Sequence, residues 1–319
     1  MSSVEANLRW AAVTAVAPVT WGATYFVTRQ FLPADAPLWG GVLRALPAGL
    51  LLLLLRRRLP RGSWWWRSLV LGTLNMGAFF ALVYLAAQLL ATSIASTVMA
   101  TSSMVIMLIA WLILSERPRL PAVGGAVVGI GGVCLMLLSG AHAVDPVGVL
   151  ASVAAMLMSS AGYVLAKRWT AHADVISTTS WQLIGGGLVL LPLAAAVEGG
   201  PPAPDGPALL GFAYVSVVAT AVAFACWFTG LHHLNAATVG LVGLLNPVTG
   251  VLLGAGVSGD SLTAQQVAGL VLVLLGVVVG QPATARLFDA TLRHVPASDA
   301  STTVQRPTAR YAESYRSEP

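Results

Sequence analysis

Charge is what this chain has least of. Of its 319 residues, 9% are charged and 57% are hydrophobic, whereas a soluble domain carries roughly 25% charged residues. That is too little polar side chain to cover a water-facing surface of this size, and a soluble globular fold is excluded. Hydrocarbon as the outer solvent removes the difficulty, because apolar side chains can then face outward. Cysteine is almost as scarce. Cys134 and Cys226 both lie inside apolar runs; they cannot build the disulfide framework of a secreted domain and read as small buried residues. There is no H-E-x-x-H, no aspartate cluster and no Gly-rich phosphate loop, so no metal, cofactor or catalytic residue is expected. The net charge of +5 is spread between apolar runs and in the C-terminal tail rather than gathered on one basic face, which argues against a nucleic-acid partner. A short, plainly apolar leader is lacking too. The first apolar run is interrupted by Pro18 and Trp21 and reads as a retained helix.

What is present is a series of apolar stretches of spanning length. A helix crosses hydrocarbon with about 20 mainly apolar residues. Ten such helices are predicted, at 10–30, 37–55, 68–88, 92–114, 121–139, 147–166, 176–196, 208–231, 236–257 and 264–283, giving an all-α membrane protein. Short connections near Ala91 and Asn235 force antiparallel neighbours. Residues 284–319, rich in Ser, Thr, Arg and Ala, are expected to form a disordered cytoplasmic tail. With residues 1–9 placed in the cytoplasm, Arg9, Arg56, Arg57, Arg58, Arg61, Arg67, Arg117, Arg119, Lys167, Arg168 and the five arginines of the tail fall inside, and Arg29 alone falls outside. Cytoplasmic loops retain Lys and Arg in this way, so both termini are expected in the cytoplasm of a multi-pass protein of the cell (inner) membrane. Trp64, Trp65 and Trp66 lie beside the basic loop, at the headgroup level that amphipathic rings prefer.

The two halves, 10–140 and 146–283, resemble each other. A shift of 138 places Thr14, Trp21, Tyr25, Arg29, Arg44 and Gly49 on Ser152, Ser159, Tyr163, Lys167, Gln182 and Gly187. Later, a shift of 144 places Ser103, Glu116, Gly125 and Gly132 on Pro247, Asp260, Gly269 and Gly276. Five helices per repeat is an odd number, so the second repeat must enter the membrane upside down. Inverted repeats are a recurring plan of secondary transporters, with the substrate near the midplane where the halves meet.

Trp21-Gly22-Ala23-Thr24-Tyr25, Arg44, Glu116, Leu245-Asn246-Pro247-Val248, the acidic Asp260 and the glycine-bearing fifth and tenth helices together resemble the drug/metabolite transporter superfamily, in particular its EamA-type ten-helix members, over about residues 10–283. The resemblance implies transport, more often export, of small organic solutes through a cavity lined by helices 1, 3, 4, 6, 8 and 9. The family commonly carries a proline where Ser103 stands and Glu where Asp260 stands, so any kink in helix four must have another source.

Several side chains could face such a cavity. Helix one presents Thr14, Trp21, Tyr25 and Thr28 on one face, and helix six presents Ser152, Ser159 and Tyr163. Helix four carries Ser96, Thr97, Thr101, Ser102 and Ser103. Pro247 frees a backbone carbonyl beside the amide of Asn246. Asn75 and Tyr84 in helix three and Trp227 in helix eight complete the set. Each of these also has a packing use. Arg44 is the one plainly ionised group well inside a span, where a charge costs roughly 2.5–3.5 kcal/mol on insertion scales; it either bonds a neighbouring helix or receives an anionic substrate. No span holds a midplane Asp or Glu, so coupling to protons through a buried carboxylate is not expected. Glu116, Asp260, His232 and His233 read as helix-end residues.

The expected function is secondary transport, most simply export, of an amino-acid-like or otherwise amphipathic metabolite by alternating access. Its partners are a small-molecule substrate and the bilayer; a homodimer is compatible. The alternative is a membrane-embedded scaffold or receptor, or a lipid-modifying enzyme, without transport.

Overall fold

The computed structural model describes residues 3–33, 36–90, 95, 98–137, 145–170, 173–258 and 262–281. The C-terminal tail, the turn at Ala91, Ser96, Thr97 and Asp260 lie outside them, as do the side chains of Tyr25 and Arg29. Within hydrocarbon only a helix satisfies every backbone N–H and C=O inside one segment, and the apolar runs fold accordingly. Among the described residues, α1 is Ser3–Phe31, α2 Pro37–Arg56, α3 spans 64–89, α4 Val98–Leu114 and α5 Leu120–Leu137. The second half repeats the series with α6 at Pro146–Trp169, α7 at Val175–Glu198, α8 at Gly206–His233, α9 spanning 236–258 and α10 at Ala264–Val279. Eight of the ten are long and apolar enough to cross a membrane, while α4 and α10 are apolar and shorter. α1 begins earlier than expected from apolarity, because its first turns can lie in the headgroup zone. Leu54, Leu112 and Leu210 are 69%, 72% and 75% exposed, on faces that lipid would cover.

Local signals start the helices. Asp145, Asp174, Asp205, Asn235 and Thr263 each accept a backbone N–H at the first turns of α6 to α10. α2 follows Ala36, which offers no such oxygen. Glu198 at the end of α7 supplies it, accepting from the N–H groups of Leu38 at 2.8 Å and Trp39 at 2.9 Å.

Contacts between the halves are reciprocal. α1 packs on α8, and its counterpart α6 packs on α3; α3 meets α7, and α8 meets α2. The outer pairs α2–α7 and α5–α10 join equivalent helices, and glycines permit the approach. A Cβ on Gly125 would lie 2.4 Å from the Gly276 carbonyl oxygen, and one on Gly276 would lie 2.4 Å from that of Gly125. Gly132 and Gly269 repeat the relation at 2.7 and 2.6 Å. Between α2 and α7, Gly49 abuts Ile184 and Gly187 abuts Leu46, the same contact seen from each half. Such mutual contacts are what an antiparallel pseudo-two-fold relation between repeats produces.

Gly132→Ala and Gly269→Ala are therefore expected to destabilise the detergent-solubilised protein by about 1–3 kcal/mol each, the usual result of overpacking. Gly124→Ala and Gly131→Ala, where nothing lies within 4 Å, should leave the melting temperature unchanged or slightly raised. Equal effects at all four positions would mean that α5 and α10 do not meet as described.

Candidate functional site

Helices α1, α3, α4, α6, α8 and α9 surround a central cavity of about 250 Å³, and α2 reaches it through Arg44. Its lining comes from both halves at equivalent positions: Trp21 and Ser159, Phe80 and Phe224, Ala100 and Leu244, Ser102 and Asn246. The cavity thus straddles the pseudo-two-fold relation. Six aromatic rings, those of Trp21, Phe79, Phe80, Tyr163, Phe224 and Trp227, stand in its wall. Trp21 lies 5.0 Å from Phe224 and 5.3 Å from Trp227, and Trp227 lies 5.3 Å from Tyr163, centroid to centroid and all tilted.

The four helices α3, α4, α8 and α9 all lose regular geometry near this cavity. α3 widens to π-helical turns at Thr73–Gly77, and its counterpart α8 does so at Tyr214–Val222. α9 breaks at Leu244, whose N–H bonds Leu241 O, three residues before Pro247; a proline cannot donate to the carbonyl four residues back and clashes with it. In α4 the equivalent irregularity stands at Thr101 without a proline. There the Thr101 hydroxyl donates to Val98 O at 2.6 Å and the Ser103 hydroxyl to Ala100 O at 3.2 Å, and hydroxyl back-bonding of this kind bends helices. The chain thus keeps the break while departing from the proline pattern.

These irregular turns supply polar partners. The Ala219 carbonyl, inside the π-helical part of α8, accepts from Trp21 Nε1 at 3.0 Å and from an Arg44 terminal nitrogen at 3.4 Å. Arg44 Nε also donates to Thr220 Oγ1 at 3.0 Å, and its guanidinium carbon stands 4.7 Å from the Phe80 ring centre. In the other half, Gln182 occupies the position of Arg44. It accepts from Asn75 Nδ2, in the π-helical part of α3, at 3.0 Å. Gly22 lets α1 lie against the break in α9, since a Cβ there would be 2.6 Å from the Asn246 carbonyl oxygen. The indole Nε1 of Trp227 and Oδ1 of Asn246 are buried with no partner in the protein.

Of the residues singled out from sequence, Trp21, Arg44, Ser102, Ser159, Tyr163, Trp227, Asn246 and Pro247 line the cavity. Asn75, fully buried, instead bonds Gln182. Ser103 is buried against its own helix. Tyr84 packs against the cluster of Leu38, Trp39 and Val42 and accepts from Gln88 Nε2. The rings of Phe79, Phe80 and Phe224, together with Thr24 and Met99, also line it; sequence reasoning passed them over because apolar residues in a span read equally as packing. The signal was available in the repeat, since a shift of 144 places Phe80 on Phe224.

Following the cavity-lining Trp227 along the chain, Phe228, Leu231 and Leu234 are buried. Glu116, just after α4, joins the two halves. Its Oε1 lies 2.8 Å from Lys167 Nζ on α6, and its Oε2 accepts from the Ala236 N–H of α9 at 2.8 Å. Lys167 Nζ also donates to Leu234 O. Glu116 is thus more than a solvated helix-end residue. At the same end His233 stacks on Trp10 with ring centres 3.7 Å apart.

The model of the EamA-like transporter family matches residues 8–138 and again 146–279. Protein PecM of Dickeya dadantii is 35% identical over 267 residues, covering 83% of this chain and 90% of that protein. An uncharacterized inner membrane transporter of Escherichia coli, YedA, is 25% identical, covering 82% and 87%. A probable amino-acid metabolite efflux pump of Salmonella typhimurium is 26% identical, covering 82% and 91%. A solved crystal structure superposes with a TM-score of 0.75 at 19% identity, over 88% of this chain and 98% of its own, a likeness of fold.

The two cavity indoles should respond differently to loss of the N–H. Trp21→Phe deprives the Ala219 carbonyl of a donor and is expected to cost about 1 kcal/mol more than Trp227→Phe, whose N–H has no protein partner to lose. Thermal denaturation of both variants checks this; equal losses would show that the Trp21 bond contributes nothing.

Proposed function

The chain belongs to the EamA-like transporter family of multi-pass membrane proteins, and from that premise we propose that it exports a small amphipathic organic metabolite across the inner membrane by alternating access. The observation that carries this reading is the central cavity, walled by aromatic and hydroxyl side chains from both halves; the buried Phe228, Leu231 and Leu234 and the Glu116–Lys167 pair are its gate at the basic end in this reading. A scaffold would have no use for a solute-sized chamber at the junction of the repeats. The positive-inside distribution supports a cytoplasmic location for the basic end and both termini, and in this reading the gate closes the cavity toward the cytoplasm. The equivalent positions of the two halves would exchange roles to close the other face. Export rather than uptake is supported by the efflux activity in the name of the Salmonella relative. Among the described residues no carboxylate lines the cavity, and this supports movement down a solute gradient without a buried proton carrier. The 1–9 and 284–319 segments flank two five-helix domains at 10–140 and 146–283 in this reading.

Counterflow of labelled solute in proteoliposomes tests the transport itself. Strong accumulation driven by an imposed pH gradient would overturn the uncoupled mechanism. Closure is tested separately with a single cysteine at Phe228 in a Cys134→Ser, Cys226→Ser background. Glu116→Gln and Lys167→Gln are each expected to speed its labelling by a membrane-impermeant maleimide from the cytoplasmic side by about fivefold, the population shift that about 1 kcal/mol brings. Labelling unchanged in both variants would remove the pair from any gating role.

A further inference from the structure

The start of α3 places an arginine among tryptophans. Trp64, Trp65 and Trp66 open the helix and Arg67 follows. The Arg67 guanidinium carbon lies 5.8 Å from the ring centre of Trp64, 5.6 Å from that of Trp66 and 5.5 Å from that of Trp169, the last residue of α6. Trp66 and Trp169 meet edge to face at 5.3 Å. One guanidinium thus stands where the first half of the chain meets the second. Ring faces attract such a cation but offer no acceptor to the N–H groups in its plane, and Arg67 Nε is buried with no hydrogen-bond partner in the protein. Among the described residues the ion pairs are Arg56 with Asp174 and Lys167 with Glu116; Arg67 belongs to neither.

The surroundings add charge and an apolar wall. The loop before α3 brings Arg57, Arg58 and Arg61, all exposed. Trp181 fixes this loop, since its Nε1 donates to the Arg58 carbonyl at 2.8 Å and its ring lies 5.6 Å from that of Trp64. The Trp64 N–H closes the turn on Arg61 O at 3.1 Å. Asp174, the acid near Arg56 and Arg58, is engaged by Arg56 at 3.4 Å and by the Ser177 N–H and hydroxyl at 2.9 and 2.6 Å. Trp65 and Trp66 are 63% and 52% exposed, and Leu69 and Val70, four residues on and therefore on the same faces, are exposed as well.

We propose that this corner is a binding site for an anionic phospholipid of the leaflet at the basic end. Arg67 donates to the phosphodiester, the arginines of the preceding loop surround the headgroup with positive charge, and the acyl chains lie along Trp65, Trp66, Leu69 and Val70. The site requires the membrane placement of the chain and is independent of the transport reading. A guanidinium offers a phosphate two parallel N–H bonds, and basic pockets between spanning helices on the cytoplasmic side take anionic headgroups. The exposed apolar strip beside the cage favours a lipid over a free phosphate, because only acyl chains cover it. A zwitterionic lipid brings its own ammonium group into the arginine cluster, whereas phosphatidylglycerol does not, so headgroup charge is what the site discriminates. Because Trp169 closes the cage, a bound headgroup ties α3 to α6 across the two halves.

Competition between lipids tests the site. The purified full-length protein is equilibrated with an equimolar mixture of palmitoyl-oleoyl phosphatidylglycerol and palmitoyl-oleoyl phosphatidylcholine, and the retained lipids are counted by native mass spectrometry. The wild type is expected to retain phosphatidylglycerol at least about fivefold over phosphatidylcholine. Arg67→Gln should cut that ratio to about twofold or less, and Arg67→Lys should keep part of it, because the charge stays and the planar fork is lost. Arg119→Gln, at an exposed arginine between α4 and α5, should leave the ratio within about 1.5-fold of wild type. Soluble glycerol 3-phosphate at the same concentration should leave the retained lipid unchanged. Absence of a preference in the wild type would overturn the site, as would equal losses from Arg67→Gln and Arg119→Gln, which would mean diffuse surface charge only. Displacement by glycerol 3-phosphate would overturn a lipid as the occupant. If Arg67→Gln fails to fold, Arg61→Gln takes its place against Arg119→Gln: a larger loss at Arg61 supports the site, and equal ratios overturn it.

Discussion

In a hydrocarbon solvent a backbone N–H or C=O that leaves the helical ladder must find its partner inside the protein. The rest of this structure depends on where that constraint is relaxed and how it is then met. α5, α6, α7 and α10 keep regular helical geometry, whereas α3, α4, α8 and α9 break it, and all four breaks lie beside the same cavity. The partners that repair them are also the polar groups of the site. The Ala219 carbonyl, within the widened turns of α8, is the acceptor shared by Trp21 and Arg44. Local irregularity, side-chain orientation and a polar chamber thus have one physical origin.

Around this irregular centre stand two tightly fitted pairs, α2–α7 and α5–α10. Their glycines bring backbone against backbone at distances that admit no Cβ, and close packing is what holds helices together where lipid tails are as apolar as the side chains. Glu198 ties the start of α2 to the end of α7. The pairs act as a frame that links the repeats without filling the space between them. The inner helices also meet the other repeat closely, as where Gly72 of α3 lies against Gln182 and Gly186 of α7 and Gly22 of α1 lies against Asn246 of α9. The division of labour follows from residue size: glycine where helices must stay together, and large aromatic rings where they enclose a volume.

Much of this was legible in the sequence for plain reasons. Apolar runs of spanning length have few alternatives to helix, and the alternation of basic loops counts helices, which is why most of the ten elements emerged within about four residues of their observed limits, while α1 begins at Ser3 and not at Trp10. The repeat was legible because symmetry leaves polar residues such as Trp21 and Ser159, or Ser102 and Asn246, at constant offsets, and these do line one cavity. Other features left no comparable trace. A π-helical turn has no side-chain signature of its own, so the shift that turns Asn75 away from the cavity and onto Gln182 was invisible. Phe80 and Phe224 looked like lipid or packing residues because composition cannot tell a ring facing a chamber from a ring facing acyl chains. Glu116 looked like an ordinary helix end because its partners, Lys167 and Ala236, belong to the other half of the chain.

A perfectly symmetric chamber would present every contact twice, so a solute could lie in it in either of two equivalent orientations. What the chamber can select must therefore come from the places where the halves differ. Trp21 corresponds to Ser159 and Ser102 to Asn246, and a bend at the hydroxyls of Thr101 and Ser103 in α4 answers a proline-made one in α9. Each of these exchanges alters shape or hydrogen bonding. Arg44 against Gln182 alters charge, and in a low-dielectric chamber a charge acts over a longer range and with more energy than either. The repeats share a framework that fixes where the cavity lies, while their divergence fixes which side chains line it.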